Sequence, residues 1–281
     1  LSVTNECGTT TRTSTITITP LPVADAGPDK SFCSGASTTI GSAPVSGNTY
    51  QWTPVTGLSS STIANPTLSL NNPGATPLVF TYVVTVTNSN NCVKTDTVLI
   101  TVNPLPPVAV SPNIGICIGN STTLTATGAD SYSWTPGTGL SSTTGAVVTA
   151  NPAVTTTYTV TGTATATGCF KPASVTVTVN PLPVVNAGPD VNVCISQPSV
   201  TLVGTPAGGT WTGPGISTGG LFTPTAAGSF QVTYTYTNGN GCTNTDIAQV
   251  TVFDVATVAD AGPNQDLCGN IVSMAANLPV T

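Results

Sequence analysis

Along several stretches an aliphatic residue alternates with threonine. Val175-Thr176-Val177-Thr178-Val179 is one uninterrupted run, and Thr15-Ile16-Thr17-Ile18 repeats the pattern near the start. A period of two places one set of side chains on a buried face and the other in water, which predicts half-buried β-strands. Gly, Pro and Asn clusters separate these stretches. Short strands broken by turn residues at this spacing predict an all-β sandwich or barrel.

The same pattern recurs down the chain. ADAGPDKSFC (24–33), AVSPNIGIC (109–117), VNAGPDVNVC (185–194) and ADAGPNQDLC (259–268) share an opening in which a cysteine follows a proline by five positions. The four prolines, Pro28, Pro112, Pro189 and Pro263, step by 84, 77 and 74 residues. A tryptophan follows the first cysteine by 19, 17 and 17 residues, as Trp52, Trp134 and Trp211. A long alternating stretch then ends at a second cysteine, and a closing strand leads to the next opening. This reads as three full repeats, 23–106, 107–183 and 184–256, flanked by the last part of a repeat (1–22) and the first part of another (257–281). Joining residue 281 to residue 1 would place Cys268 only 20 residues before Cys7, against 59, 52 and 48 between the two cysteines of the intact repeats. The expectation is a chain that continues on both sides.

Composition reinforces the strand reading. Only four basic and ten acidic residues occur in 281, so the polar surface rests on Thr, Ser and Asn. Threonine is β-branched and suits a pleated strand, while the strong helix formers are scarce. Arg12, Lys30, Lys94 and Lys171 cannot form a basic patch, which argues against nucleic acid and against anionic lipid. No apolar run is long enough for a membrane-spanning helix. Histidine is absent, and no catalytic motif occurs, so no enzyme activity is expected.

Eight evenly spaced cysteines without a CxxC or Cys/His cluster point to disulfides in an oxidising compartment. Each repeat is small and needs a staple. The expectation is one bond within each repeat: Cys33–Cys92, Cys117–Cys169 and Cys194–Cys242, with Cys7 and Cys268 pairing outside these residues. Closing such a loop is worth about 4 kcal/mol in the chain-entropy model. Pairing between neighbours, such as Cys92 with Cys117, is the competing arrangement, disfavoured on repeat symmetry. Pro20-Leu21-Pro22, Pro104-Leu105-Pro106-Pro107 and Pro181-Leu182-Pro183 form short, stiff connections, which predict a rod on the order of 100 Å for three domains of ~3.3 Å per strand residue. Val252-Phe253-Asp254-Val255 replaces this element at the third junction.

Candidate chemistry is sparse. Trp52, Trp134 and Trp211 are expected in the cores because they recur at one position; a sugar-binding face is the alternative. Asp25, Asp29, Asp190 and Asp260 near the junctions could offer oxygens to calcium. Solvated turns are preferred, since the acidic residues are not clustered and the middle repeat has Ser111 and Asn113 instead. No cofactor is expected. Asn120-Ser121-Thr122 is a lone sequon.

Pro28, Cys33, Trp52, Pro54, Gly57, Leu58, Asn65, Pro66, Tyr82 and Cys92, matched by Pro112, Cys117, Trp134, Pro136, Gly139, Leu140, Asn151, Pro152, Tyr158 and Cys169, resemble tandem PKD-like or immunoglobulin-like repeats of giant Bacteroidota cell-surface adhesins. SprB-type gliding-motility adhesins exported by the type IX secretion system are of this kind. Trp211-Thr212-Gly213-Pro214 and Thr223-Pro224 depart from the pattern and mark the third repeat as a distinct subtype. The resemblance implies a tandem array of immunoglobulin-like or PKD-like sandwiches, display on the outer surface of a Gram-negative bacterium, and O-glycosylation at Thr97 within Asp96-Thr97-Val98, with Asp130-Ser131-Tyr132 a looser fit. It implies a stalk or filament segment of an adhesin. Its partners would be neighbouring repeats, other copies in a bundle, and surface polysaccharide. A direct carbohydrate-binding module and the accessory repeats of a secreted polysaccharide-degrading enzyme are the alternatives.

Overall fold

The structure, a computed structural model, describes residues 1–256. The expectations for the opening repeat at 257–281, including Asp260 and Cys268, lie outside the described residues. Every regular element among the described residues is a strand. A short hairpin, β1 (Ser2–Asn5) and β2 (Gly8–Thr11), comes first. The alternating stretch at 15–18, expected as a strand, is not one. It finds no partner strand among the described residues, and Ile16 and Ile18 stand 87% and 91% exposed.

The first full repeat contributes β3 (Lys30–Cys33), β4 (Ser37–Thr39), β5 (Thr49–Thr53), β6 (Thr67–Ser69), β7 (Leu78–Thr87) and β8 (Val93–Asn103). The middle repeat supplies β9 (Ala109–Val110), β10 (Ile114–Cys117), β11 (Thr122–Thr127), β12 (Ser131–Thr135), β13 (Val147–Ala150), β14 (Thr156–Ala164) and β15 (Cys169–Asn180). In the third are β16 (Val191–Cys194), β17 (Val200–Thr201), β18 (Thr210–Thr212), β19 (Leu221–Phe222), β20 (Gly228–Thr237) and β21 (Thr243–Phe253). A four-stranded sheet recurs with one order: β3-β8-β7-β5, β10-β15-β14-β12 and β16-β21-β20-β18. The facing sheet is smaller: β4-β6, β13-β11-β9 and β17-β19. The chain is thus a tandem array of all-β sandwiches. By compactness it divides into two units: Leu1–Pro112 with Thr123–Thr149 and Thr157–Val175, and Asn113–Thr122 with Ala150–Thr156 and the chain from Thr176 on. The middle repeat contributes to both.

The alternation read from sequence is the burial pattern of the long strands. On β7, Tyr82, Val84 and Val86 point inward, and on β8 Val98, Ile100 and Val102 do the same. Trp52 is fully buried among them, and Trp134 and Trp211 are each 3% exposed. The indole N–H of Trp52 donates to the Ile63 carbonyl at 2.9 Å, and that of Trp134 to Gly145 at 2.9 Å. These bonds satisfy the polar edge of a ring that burial would otherwise penalise.

The third repeat differs inside its core. Opposite Trp52 and Trp134 stand Val84 and Val160, with Tyr82 and Tyr158 two positions earlier on the same face. Opposite Trp211 stands Tyr234, and Val232 takes the earlier place. Tyrosine and valine have changed places. The Tyr82 hydroxyl donates to Thr56 O and that of Tyr158 to Thr138 O, both in the loop after the tryptophan. Tyr234 instead donates to Pro206 O at 2.6 Å and accepts the Gly209 N–H at 2.7 Å, in the loop before it. Room for the displaced ring comes from Gly204 and Gly209, where a Cβ would lie 2.4 and 2.5 Å from Tyr234 atoms.

The expected disulfides are corrected. The bonds are Cys33–Cys169 and Cys117–Cys242, not Cys33–Cys92, Cys117–Cys169 and Cys194–Cys242. Among the described residues Cys7, Cys92 and Cys194 are free thiols. Strand length is the reason. Cys33 pairs in register with Asn103, the last residue of β8, while Cys92 immediately precedes its first residue. Eleven residues separate those ends, about 35 Å at ~3.3 Å per residue, whereas a disulfide needs Cα atoms within ~7 Å. Cys117 is likewise paired with Asn180 at the far end of β15, which begins at Cys169. Cys194 is paired with Phe253 at the far end of β21, just after Cys242. No sandwich can bridge its own two cysteines. Each bond instead joins the first cysteine of one repeat to the second cysteine of the next, with Cα atoms 5.5 Å apart in both cases. Repeat symmetry is preserved by this shift of one, so symmetry never favoured the internal pairing.

Non-reducing peptide mapping of the folded chain is expected to recover Cys33 joined to Cys169 and Cys117 joined to Cys242. A peptide linking Cys33 to Cys92 would refute the assignment.

Candidate functional site: the junction between repeats

Each junction is assembled from an exit face on one repeat and an entry hairpin on the next. The exit face forms where the opening strand runs parallel to the closing strand. Cys33 sits opposite Asn103, and the Ser34 N–H donates to Asn103 O at 2.8 Å. Cys117 and Asn180 repeat this, with Ile118 N to Asn180 O at 2.9 Å. The linker leaves from the same place, since Pro104 and Pro181 directly follow those asparagines.

The residue after each opening proline fastens the opening segment to the closing strand. Asp29 Oδ1 accepts the Leu99 N–H at 2.8 Å, Asp190 Oδ1 that of Gln249 at 2.8 Å, and Asn113 Oδ1 that of Thr176 at 2.8 Å. A neutral amide does what the carboxylates do, so the position requires an acceptor and not a charge. Asp25 caps its own turn through the Gly27 N–H. Among the described residues no group of three or more His, Cys, Asp or Glu could hold a metal ion.

The entry hairpin joins the two long strands. Asn88 Oδ1 accepts the N–H groups of Asn90 and Cys92, both at 3.0 Å, and its amide donates to Pro20 O in the preceding linker at 3.1 Å. Asn238 makes the same set with Asn240, Cys242 and Pro181 O, at 3.0, 3.0 and 3.2 Å. One side chain therefore shapes the turn and holds the incoming linker. The turn also needs a left-handed residue just before the cysteine; Gly168 and Gly241 supply it, and Asn91 does so at φ 63°. Asn tolerates this region better than other non-glycine residues. Asp96 Oδ2 accepts the Ala26 N–H at 2.8 Å and Asp246 Oδ2 that of Ala187 at 2.9 Å, tying the opening segment that follows each linker to its own sandwich. At the middle repeat, Gly128 (φ +90°) lies so close to the linker that a Cβ would be 2.1 Å from Pro107 O.

The disulfide Cys33–Cys169 closes this arrangement within one compact unit, and Cys117–Cys242 closes it within the other. Cys169 and Cys242 are fully buried. A cleft of about 690 Å³ flanks the first bond, lined by Pro73, Pro77, Leu105, Pro107, Asp130 and Lys171 among others. The junction residues Asn88, Asn238, Asp96 and Asp246 were not singled out in the sequence. Their signal was present as Asn-x-Asn-x-Cys with an aspartate four positions after the cysteine, in the first and third repeats.

The remaining sequence candidates lie apart from the junction. The three tryptophans are inside the cores and present no face to a sugar. Thr97 is exposed on β8, beside Asp96 with its bound carboxylate. Asp130 Oδ2 accepts from the Thr165 N–H at 2.9 Å and stands 3.2 Å from its hydroxyl. Burial raises the pKa of Tyr82 above its ordinary value, which keeps the hydroxyl a donor to Thr56.

No family model matches the sequence, and no curated protein matches it. Among solved structures, the chain is similar to immunoglobulin domains 1–4 of Sidekick-1, at 17% identity over 90% of this chain and 81% of that one, with a TM-score of 0.28. It is also similar to extracellular domains 3–5 of Drosophila OTK (12% identity, 83% and 97% coverage, TM-score 0.28) and to mouse cadherin-23 EC22–24 (12%, 82% and 96%, 0.27). At these scores the likeness assigns neither a family nor a function.

Replacing Asn238 with Ala removes three hydrogen bonds at one turn, the one to the Pro181 carbonyl among them. The expected loss is about 1–3 kcal/mol of unfolding free energy, read from urea denaturation of the oxidised chain.

Proposed function

We propose that this chain is a load-bearing stalk segment of a large secreted surface adhesin, which holds a binding region away from the cell. Overlap of the two disulfide-closed loops supports this reading best. The loop from Cys33 to Cys169 and the loop from Cys117 to Cys242 share residues 117–169. A pull applied outside the pair therefore travels through both S–S bonds and back along the shared segment. Even with every sandwich unfolded, the covalent path from Cys33 to Cys242 is about 50 residues, ~190 Å at up to ~3.6 Å per residue, instead of about 210 residues and ~750 Å. Such an array bears force without paying out chain.

The disulfides suit an extracellular, oxidising setting. The repeat motifs support placement among the giant Bacteroidota adhesins of the SprB type, with type IX export, gliding motility and O-glycosylation at exposed Thr97 as the finer parts of the proposal. Neighbouring repeats are the first partners of this chain, bundled copies the second. The buried tryptophans withdraw the main support from a direct sugar-binding role.

Single-molecule stretching tests the reading. In oxidising buffer the contour released between Cys33 and Cys242 is expected to stay below the ~190 Å limit, rising about fourfold after reduction. Release of the full ~750 Å under oxidising conditions would reject a load-bearing role for the bonds.

A further inference from the structure

The entry hairpins of the first and third repeats make the same hydrogen bonds and differ at a position that decides a reaction. Asn88-Ser89-Asn90-Asn91-Cys92 and Asn238-Gly239-Asn240-Gly241-Cys242 form the same turn between the two long strands. In the first, the Asn90 N–H donates to Asn88 Oδ1 at 3.0 Å and the Asn91 N–H to Asn88 O at 2.9 Å. In the third, the Asn240 N–H donates to Asn238 Oδ1 and the Gly241 N–H to Asn238 O, both at 3.0 Å. The residue before the cysteine is left-handed in each, Asn91 at φ 63° and Gly241 at φ 79°. Asn90 and Asn240 are exposed, and neither side chain makes a hydrogen bond among the described residues. Asn240 is followed by glycine, whereas Asn90 is followed by a residue with a Cβ.

We infer that Asn240 is a site of spontaneous, irreversible deamidation, which loosens the third repeat's grip on its incoming linker. The Gly241 nitrogen attacks Asn240 Cγ, and the new C–N bond closes a succinimide ring. The Cγ–Nδ2 bond breaks, and Nδ2 leaves as ammonia with the proton from the Gly241 nitrogen. Water then opens the ring at either carbonyl and leaves an aspartyl or an isoaspartyl residue at position 240. A following glycine favours ring closure, because it has no Cβ to crowd the approach. Asn-Gly occurs in this sequence only as Asn238-Gly239 and Asn240-Gly241, and hydrogen bonds separate the two. The Asn238 side chain must give up three, to Asn240 N, Cys242 N and Pro181 O, before it can turn. Asn240 needs only the Gly241 N–H to leave Asn238 O. Two bonds more leave Asn238 roughly thirtyfold less often free to react. An isoaspartyl link adds a methylene to the backbone between Asn238 and Cys242, so the bonds from Gly241 N and Cys242 N to Asn238 lose their register. Those bonds hold Asn238 against Pro181 O. The linker carbonyl is released, while Cys117–Cys242 keeps the two repeats joined. This inference does not depend on the stalk reading.

The test ages the oxidised chain in mildly alkaline buffer and maps its peptides. Position 240 is expected to become an acid, mostly isoaspartyl, with release of ammonia, while Asn90 and Asn238 stay amides. The urea midpoint of the aged chain is expected to shift down. In the reduced, denatured chain the roughly thirtyfold gap between Asn240 and Asn238 is expected to close. Gly241→Asn copies the first hairpin, and a Cβ at 241 meets nothing within 4 Å; this variant is expected to lose the reaction at 240. Asn91→Gly is expected to confer the reaction on Asn90. An intact amide at 240, reaction at Asn238 ahead of it, or an equal rate at Asn90 would overturn the site. An unchanged midpoint after aging would overturn the loosening. Comparison of Asn240 with Asn90 in the wild-type chain decides the site even where a variant fails to fold.

Discussion

The closing strand of each sandwich is 11 or 12 residues long, and it keeps that sandwich's two cysteines at opposite ends. A bond with a reach of a few ångströms cannot cross a strand of about 35 Å. The consequence is an inter-repeat connectivity. The exit end of one repeat offers a cysteine where the linker leaves, and the entry hairpin of the next offers another where the linker arrives. Strand length, a property of one domain, thereby decides how successive domains are joined.

The junction chemistry follows from a surface nearly devoid of charge. Ion pairs cannot fasten the linkers, because the chain has only four basic residues. Asparagine and aspartate side chains bond backbone groups instead: Asn88 and Asn238 on linker carbonyls, Asp96 and Asp246 on N–H groups of the opening segments that follow the linkers. Backbone contacts of this kind constrain the linker path and leave its side chains free to vary.

Overlapping loops differ mechanically from independent ones. A bond internal to each domain would shorten each domain's extension separately. Two bonds that share residues 117–169 fold the force path back on itself. In the chain-entropy model a loop of this size contributes about 5 kcal/mol, and the shared segment makes the two contributions less than additive. The cores vary within this frame. Tyr82 and Tyr158 anchor the loop after the tryptophan, while Tyr234, two positions along its strand, anchors the loop before it. Both solutions satisfy a buried hydroxyl with a loop carbonyl, so the sandwich tolerates the exchange.

Alternation of aliphatic residues and threonine determined the strands, and the repeating Pro, Cys and Trp positions determined the modules and the tryptophans' place in the cores. These were legible because a period of two and a repeat are local or self-similar signals. The stretch at 15–18 shows the limit of that signal, since the same alternation without a partner strand stays exposed. The cysteine count and spacing carried the presence of disulfides but not their partners. Internal and shifted pairings have the same periodicity, and only the parallel pairing of Cys33 with Asn103, and of its counterparts, showed which end of the sandwich each cysteine occupies. The Asn88 and Asn238 contacts were hidden for the same reason. A turn signature can be read along the chain, but the carbonyl 57 or 68 positions away that receives its amide is chosen by tertiary structure alone.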